Sequence, residues 1–193
     1  MAKRISLREF QQGLSERLLS ARRGDSELTL LGVESGAADL PGGSHWLLDL
    51  GDSGEVVPLP QLTPAPLTKP WFAGIANIRG VLYGVVDFAA WRGGAPTPRN
   101  AQSRLLLVGA RQGIASALLV SRALGLRPQQ QLHAASDAGD STRDDPHPNE
   151  SNSLEQGSAH WLGGRFLDAQ NQIWTQLRIS ALLTDPDYLD VAL

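Results

Sequence analysis

Cysteine is absent from this 193-residue chain, which excludes disulfides and thiolate metal sites and fits a reducing compartment such as the cytoplasm. A basic excess is absent as well. The formal net charge is −3, whereas a general nucleic-acid binder carries a surplus of Lys and Arg. No apolar run approaches the roughly 18 residues that a membrane helix needs. The basic N-terminus also lacks the apolar stretch of a secretory signal. The expectation is a soluble, cytoplasmic protein with no nucleic-acid partner and no direct membrane insertion. Catalytic constellations are missing too. His45, His133, His147 and His160 are scattered without His-Glu-x-x-His spacing, and there is no Gly-x-Ser-x-Gly elbow, P-loop or dinucleotide-binding glycine motif. Asp52-Ser53-Gly54 reads as a turn, not a nucleophile. No catalytic residue, metal or cofactor is expected, and the chain is not expected to be an enzyme.

What the chain does have is a β-rich centre. From Ile78 to Phe88 the residues are β-branched, aromatic or apolar, with no proline, and the pattern predicts one strand. Neither parity is plainly polar, so its middle should be buried on both faces. Gly80 and Gly84 suggest a bend, a bulge or close approach of another backbone. Arg79 must be paired or must reach solvent. Asp87 cannot be its partner, because eight residues of straight strand span roughly 26 Å. Arg79 therefore either meets another internal acceptor or marks a rim where the strand meets water and a partner protein. Asp87 reads as a strand-end carboxylate satisfying loop amides.

Elsewhere, Ser6-Leu7-Arg8-Glu9 reads as a capping box, and Leu7, Phe10, Leu14 and Leu18 give one apolar helical stripe. Residues 24–44 read as a connector with at most a loose strand at Leu28–Val33. His45–Leu50 and Glu55–Val57 read as a hairpin. Prolines 58, 60, 64, 66 and 70 reduce the next stretch to an edge strand and an extended loop. Ser103–Gly109 and Ile114–Val120 form two strands with Arg111-Gln112-Gly113 turning between them, and Leu124–Leu132 is less regular. Residues 134–158 are acidic, almost without aliphatic side chains, and are expected to stay disordered as an insertion. His160–Leu167 and Gln172–Ile179 are strands, the second with a polar face toward water, and Asp185-Pro186 starts a short helix. The five tryptophans are expected to fill cores.

The run Gly74-Ile75-Ala76-Asn77-Ile78-Arg79-Gly80-Val81, followed by Val85-Val86-Asp87-Phe88, resembles the signature of the CheW-like family, whose members couple chemoreceptors to a histidine kinase in bacterial signalling arrays. Lys69-Pro70-Trp71-Phe72 and the basic N-terminal extension are most similar to the coupling proteins of type IV pilus, or twitching-motility, systems. The resemblance covers about Trp46–Leu132 and His160–Leu183. At Leu62-Thr63-Pro64-Ala65 the chain departs from the Val-x-Glu-Ile that family members carry, so no contact through that glutamate is transferred. The resemblance implies a mainly β fold of two SH3-like five-stranded barrels sharing a core, with short terminal helices. It places residues 1–44 as helix and connector and 45–193 as the CheW-like domain. It implies a non-catalytic adaptor between a CheA-like histidine kinase and the cytoplasmic tip of a methyl-accepting chemoreceptor. Asn77, Arg79 and Gly80 would face the partner, and Gly74 and Asp87 would shape the strand's ends. The competing readings are a flagellar chemotaxis adaptor, a small-molecule-binding β-barrel module, and a nucleic-acid binder using the basic N-terminus.

Overall fold

Short runs of leucine, valine and isoleucine, punctuated by Gly-, Pro- and Asp-rich turns, set out short strands. The computed structural model describes residues 29–109, 113–135 and 159–193 and contains eleven strands among them. The helix read near residues 6–24, the Arg111-Gln112 part of the turn and the acidic stretch from 136 to 158 lie outside the described residues.

The strands are β1 (Thr29–Glu34), β2 (His45–Asp49), β3 (Ser53–Pro58), β4 (Phe72–Ile78), β5 (Val81–Asp87), β6 (Arg104–Val108), β7 (Ser116–Val120), β8 (Arg122–Pro128), β9 (His133–Ala134), β10 (Leu162–Leu167) and β11 (Ile173–Leu177). Three one-turn helices, α1 (Phe88–Trp91), α2 (Ile179–Leu182) and α3 (Pro186–Leu189), join them. Two sheets result, in the orders β8-β1-β2-β11-β10-β9 and β3-β6-β7-β5-β4. The protein is thus mainly β with two sheets and short helices. The second sheet has five strands, and the first gains a sixth only through the two-residue β9. Strands from both ends of the described chain build sheet one, while the continuous segment β3–β7 builds sheet two.

Three local expectations are corrected by this topology. The loose strand read at Leu28–Val33 is β1, and it is not loose, because it pairs with β2 on one side and β8 on the other. The expected hairpin of β2 and β3 does not form: β2 pairs with β1 and β11, and β3 with β6. A turn sequence specifies a reversal but not the partner, and Trp46, Leu47 and Leu48, all fully buried, need neighbours on both sides. The irregular stretch at 124–132 begins in β8, where Gly125 at φ +86° accompanies a register shift opposite Gly32/Val33. The polar face expected on β11 is open at Gln172 and Arg178, half-buried at Gln176 and interrupted by the buried Trp174. On the opposite face Thr175 is buried and donates to the Gly42 carbonyl at 2.7 Å, while Ile173 is exposed.

Leucine-rich strands are explained by burial on both faces. Leu31, Val33, Trp46 and Leu48 of sheet one meet Val86, Leu106, Val108, Leu118 and Val120 of sheet two in one shared core. The opposite parity fills a satellite on each outer face: Leu105, Leu107, Ala117 and Leu119 behind sheet two, and Leu30, Leu47, Leu132 and Trp174 behind sheet one. At about 25 cal/mol per Å² of apolar area, each buried leucine contributes on the order of 2 kcal/mol. Trp46, Trp161 and Trp174 are buried core residues, and Trp91 stands edge-on to Trp161 at 5.1 Å.

The lobes are also joined by one buried cation. Arg92, directly after α1, donates Nη2 to the Ser35 carbonyl at 2.6 Å and Nη1 to the carbonyls of Pro41 and Gly43 at 2.9 and 2.8 Å. Its Nε reaches the Phe88 carbonyl at 3.3 Å, and its guanidinium lies over the Trp46 and Phe88 rings at 4.6 and 4.8 Å. Burial pulls its pKa from 12.5 down to about 10, so it remains a cation at neutral pH. Replacing Arg92 with Met leaves the Ser35, Pro41 and Gly43 carbonyls without the guanidinium, while the Phe88 carbonyl keeps the backbone amide of residue 92, and should destabilise by about 3 kcal/mol in urea unfolding. Arg92→Lys, which cannot present a planar fork, should recover little of it.

A second clasp closes the β10–β11 turn. Asp168 Oδ1 accepts from the Gln170 and Gln172 amides, and Oδ2 accepts from the Trp174 indole at 2.9 Å. Burial alone would raise the Asp168 pKa, but these donors and the Arg127 charge outweigh it and hold the group below its ordinary value of 3.8. With the folded pKa below the unfolded one, the clasp's stabilisation is complete above 3.8 and lost as pH falls through the folded pKa. Asp168→Asn should therefore lower the urea midpoint at neutral pH, and the gap to the parent chain should close on acidification.

Candidate functional site

The stretch read as one strand from Ile78 to Phe88 is instead the second half of a hairpin. Ile78 pairs with Val81, Asn77 with Leu82 and Ala76 with Tyr83, which leaves Arg79 and Gly80 as a two-residue loop. Both have positive φ, +52° and +85°, as a type I′ hairpin turn requires. Glycine meets that requirement without strain. An arginine in the left-handed region costs on the order of 1 kcal/mol. Asn77 offsets part of this by accepting the Gly80 amide at its Oδ1, 2.9 Å away.

Because the chain reverses there, burial runs differently from the sequence expectation. Val85, Val86 and Asp87 are buried, but Val81 and Leu82 are 48% and 62% exposed at the tip. Arg79 is itself 76% exposed. Its Nη1 and Nη2 each donate at 2.7 Å to one oxygen of Glu55, a planar two-point pair. The guanidinium thus has an acceptor within its own chain and also reaches solvent.

Glu55 lies on β3, at one edge of sheet two, and the β4–β5 hairpin forms the other edge. The ion pair thus joins the two ends of the sheet. The chain beyond β3 does the same at Thr63, which exchanges two 2.8 Å backbone hydrogen bonds with Ile75 of β4. Gly74 makes that closure possible. It sits at φ +126° beside a register shift in β4, and a Cβ there would lie 2.5 Å from the Thr63 carbonyl oxygen. Leu62-Thr63-Pro64-Ala65, where the chain departs from the family pattern, is the segment that seals the sheet.

Asp87 sits at the other end of β5. It caps α1 by accepting from the Ala89 and Ala90 amides and takes both the Thr97 amide and the Thr97 hydroxyl at 2.7 Å. It is buried, as is Gly74, so neither lies with Asn77, Arg79 and Gly80 on the exposed tip. The sequence reading missed Glu55, Val81 and Leu82. Glu55 is 24 positions from Arg79 on another strand, and nothing in its local sequence marks it.

A concave surface of about 650 Å³ lies between the lobes, apart from the tip. Trp71, Trp91 and Trp161 give it aromatic walls, and Asp185 and Asp187 line it as well. Trp71 is roughly 26 Å of strand away from the Arg79 turn. Among the described residues no group of three or more His, Cys, Asp or Glu is placed to hold a metal, and no helix is long and apolar enough to cross a membrane.

The two glycines should respond differently to alanine. Gly74→Ala forces the Thr63 strand away and should cost more than about 2 kcal/mol in urea unfolding, with loss of the sheet closure. Gly80→Ala meets no atom within 4 Å and carries only the left-handed backbone penalty, about 1 kcal/mol.

Comparison with known proteins accords with this architecture. The model of the CheW-like domain family matches residues 41–187. Protein PilI of Pseudomonas aeruginosa strain PAO1 is 35% identical over 74 residues, 38% of this chain and 42% of that protein, so the match spans about two fifths of the relative's length. The scaffolding protein TtCheW from Thermoanaerobacter tengcongensis has a similar fold, with a TM-score of 0.55, 17% identity, and coverage of 84% of this chain and 98% of that one.

Proposed function

The chain belongs to the CheW-like domain family, and from that premise we propose that it is a non-catalytic adaptor coupling a chemoreceptor to a CheA-like histidine kinase in a type IV pilus, or twitching-motility, signalling system. The observation that carries the proposal is the β4–β5 tip. There a strained arginine, a turn-capping asparagine and two exposed aliphatic side chains stand together in solvent, inside the stretch that bears the family signature. Exposure of Val81 and Leu82 beside a two-point ion pair supplies the apolar centre and directed polar rim of a protein contact. Asn77, Arg79 and Gly80 are the partner-facing residues in this reading. The kinase's regulatory domain, itself similar to this fold, takes the tip.

The cytoplasmic end of the receptor takes the tryptophan-walled groove at the other end of β4. Its aromatic walls and acidic side chains suit a helical tip carrying apolar and basic residues. Coupling then follows from geometry, because both partners bear on one stiff hairpin and a shift at either end is felt at the other. The partial likeness to Protein PilI, together with Lys69-Pro70-Trp71-Phe72, supports the pilus system over the flagellar one.

The variants Arg79→Ala and Leu82→Asp separate docking from folding. An exposed ion pair is worth about 0–1 kcal/mol, so both should keep the parent circular dichroism spectrum and a urea midpoint close to it. Both should weaken co-purification of the CheA-like kinase at least tenfold. Unfolding of Arg79→Ala, or full retention of the kinase by both variants, would remove the tip from the interface. A pull-down that recovers neither a receptor nor a large histidine kinase would remove the adaptor assignment.

A further inference from the structure

Sheet one contains an opening unrelated to the tip or the interlobe groove. β11 and β2 pair in parallel through only two positions, Thr175↔Trp46 and Gln176↔Leu47. Before those positions the strands part, and Gly42 and Gly43, both with φ near +80°, carry the chain away. The result is a cavity of about 480 Å³ between the loop at 38–44 and strands β10 and β11, within the size range of small-molecule sites.

Its lining has a consistent chemistry. Leu40, Leu162 and Ile173 supply apolar surface, and Ile173 is 43% exposed although it lies in a strand. Asn171 and Gln172 supply amides. Among the described residues Arg165 is the only charged residue on the lining, and its side chain makes no hydrogen bond or ion pair with another described residue. A cation facing an apolar wall with no carboxylate on the lining selects an anion.

The wall is also mechanically placed. Successive carbonyls of the loop point to alternate sides: Gly42 accepts from Thr175 of β11, while Pro41 and Gly43 accept from Arg92. Anything seated against this loop from the β11 side presses on the backbone that holds the buried arginine joining the two lobes.

We propose that this cavity binds a small carboxylate with an apolar body, its carboxylate on Arg165 and its body on Leu40, Leu162 and Ile173. Occupancy is relayed through the 41–43 backbone to Arg92. The inference does not depend on the adaptor reading, because its test contains no protein partner.

The experiment is a titration of the ¹⁵N-labelled full chain, followed by NMR, with phenylacetate, benzoate, isovalerate and indole-3-acetate, each to about 10 mM, the range where fragment-sized ligands saturate. Phenylacetamide is the uncharged comparison. At least one acid should give saturable shifts at the Gly42, Gly43, Ser44 and Gly163 amides, with the Arg92 Nε–H resonance moving along the same curve. Phenylacetamide should bind at least tenfold more weakly than phenylacetate, and Arg165→Gln should weaken the acid at least tenfold. The exposed control Arg178→Gln should leave it unchanged. The site is overturned if none of the four acids gives saturable shifts there, if acid and amide titrate alike, or if Arg165→Gln binds as the parent does. Pocket shifts with an unmoved Arg92 resonance would overturn the relay.

Discussion

A guanidinium removed from water without a carboxylate beside it holds this molecule together. Arg92 meets four carbonyls, those of Ser35, Pro41, Gly43 and Phe88, and lies against two aromatic faces. Desolvating that charge is unfavourable, and only the simultaneous presence of all its acceptors compensates. The loop from Ser35 to Gly43 therefore has one permitted course, and α1 one permitted distance from it. Trp46 and Phe88, packed edge-on at 5.0 Å beneath the cation, bring the same constraint into the shared core. The relative placement of the two lobes follows from an interaction whose every partner is main chain or ring.

Around that pin, sheet two is shaped by small sites that act at its borders. Gly74 lets Thr63 approach, Asp87 ties the end of β5 to α1 and Thr97, and Arg79 spans to Glu55. The Thr63–Ile75 and Arg79–Glu55 contacts join segments at opposite ends of the strand order, so the sheet curls until its two edges meet. The hairpin tip carries a left-handed arginine and the exposed aliphatic side chains of Val81 and Leu82 beside that charge pair. At the opposite end, Tyr188 anchors the C-terminal turn through a 2.6 Å hydrogen bond between its hydroxyl and that of Ser116. Burial there raises the Tyr188 pKa from 10.0 to about 12.

Much of the site was legible as residue types without being legible as geometry. Gly74, Asn77, Arg79, Gly80 and Asp87 stand out by identity and spacing, but the Arg79-Gly80 turn was hidden because aliphatic residues on both sides continue a strand-like pattern through it. Type I′ turns are announced by Asn-Gly or Asp-Gly, and arginine in the first position gives no such signal. Arg92 was passed over for a related reason. It sits in a Gly-rich segment that reads as loop, and acceptors that are backbone carbonyls some 50 positions away leave no trace in residue identity.

By itself, the sequence determined the β character, the leucine-rich strands buried on two faces, the turns at their ends and the family signature, because alternation and turn chemistry are properties of neighbours in the chain. Which strands lie side by side was decided only in three dimensions. β2 and β3 are separated by one turn and enter different sheets, while β2 and β11 are far apart and pair in parallel. The choice rests on burying both faces of Trp46–Leu48 and on satisfying one enclosed cation, and those are conditions on the whole assembly that no local window contains.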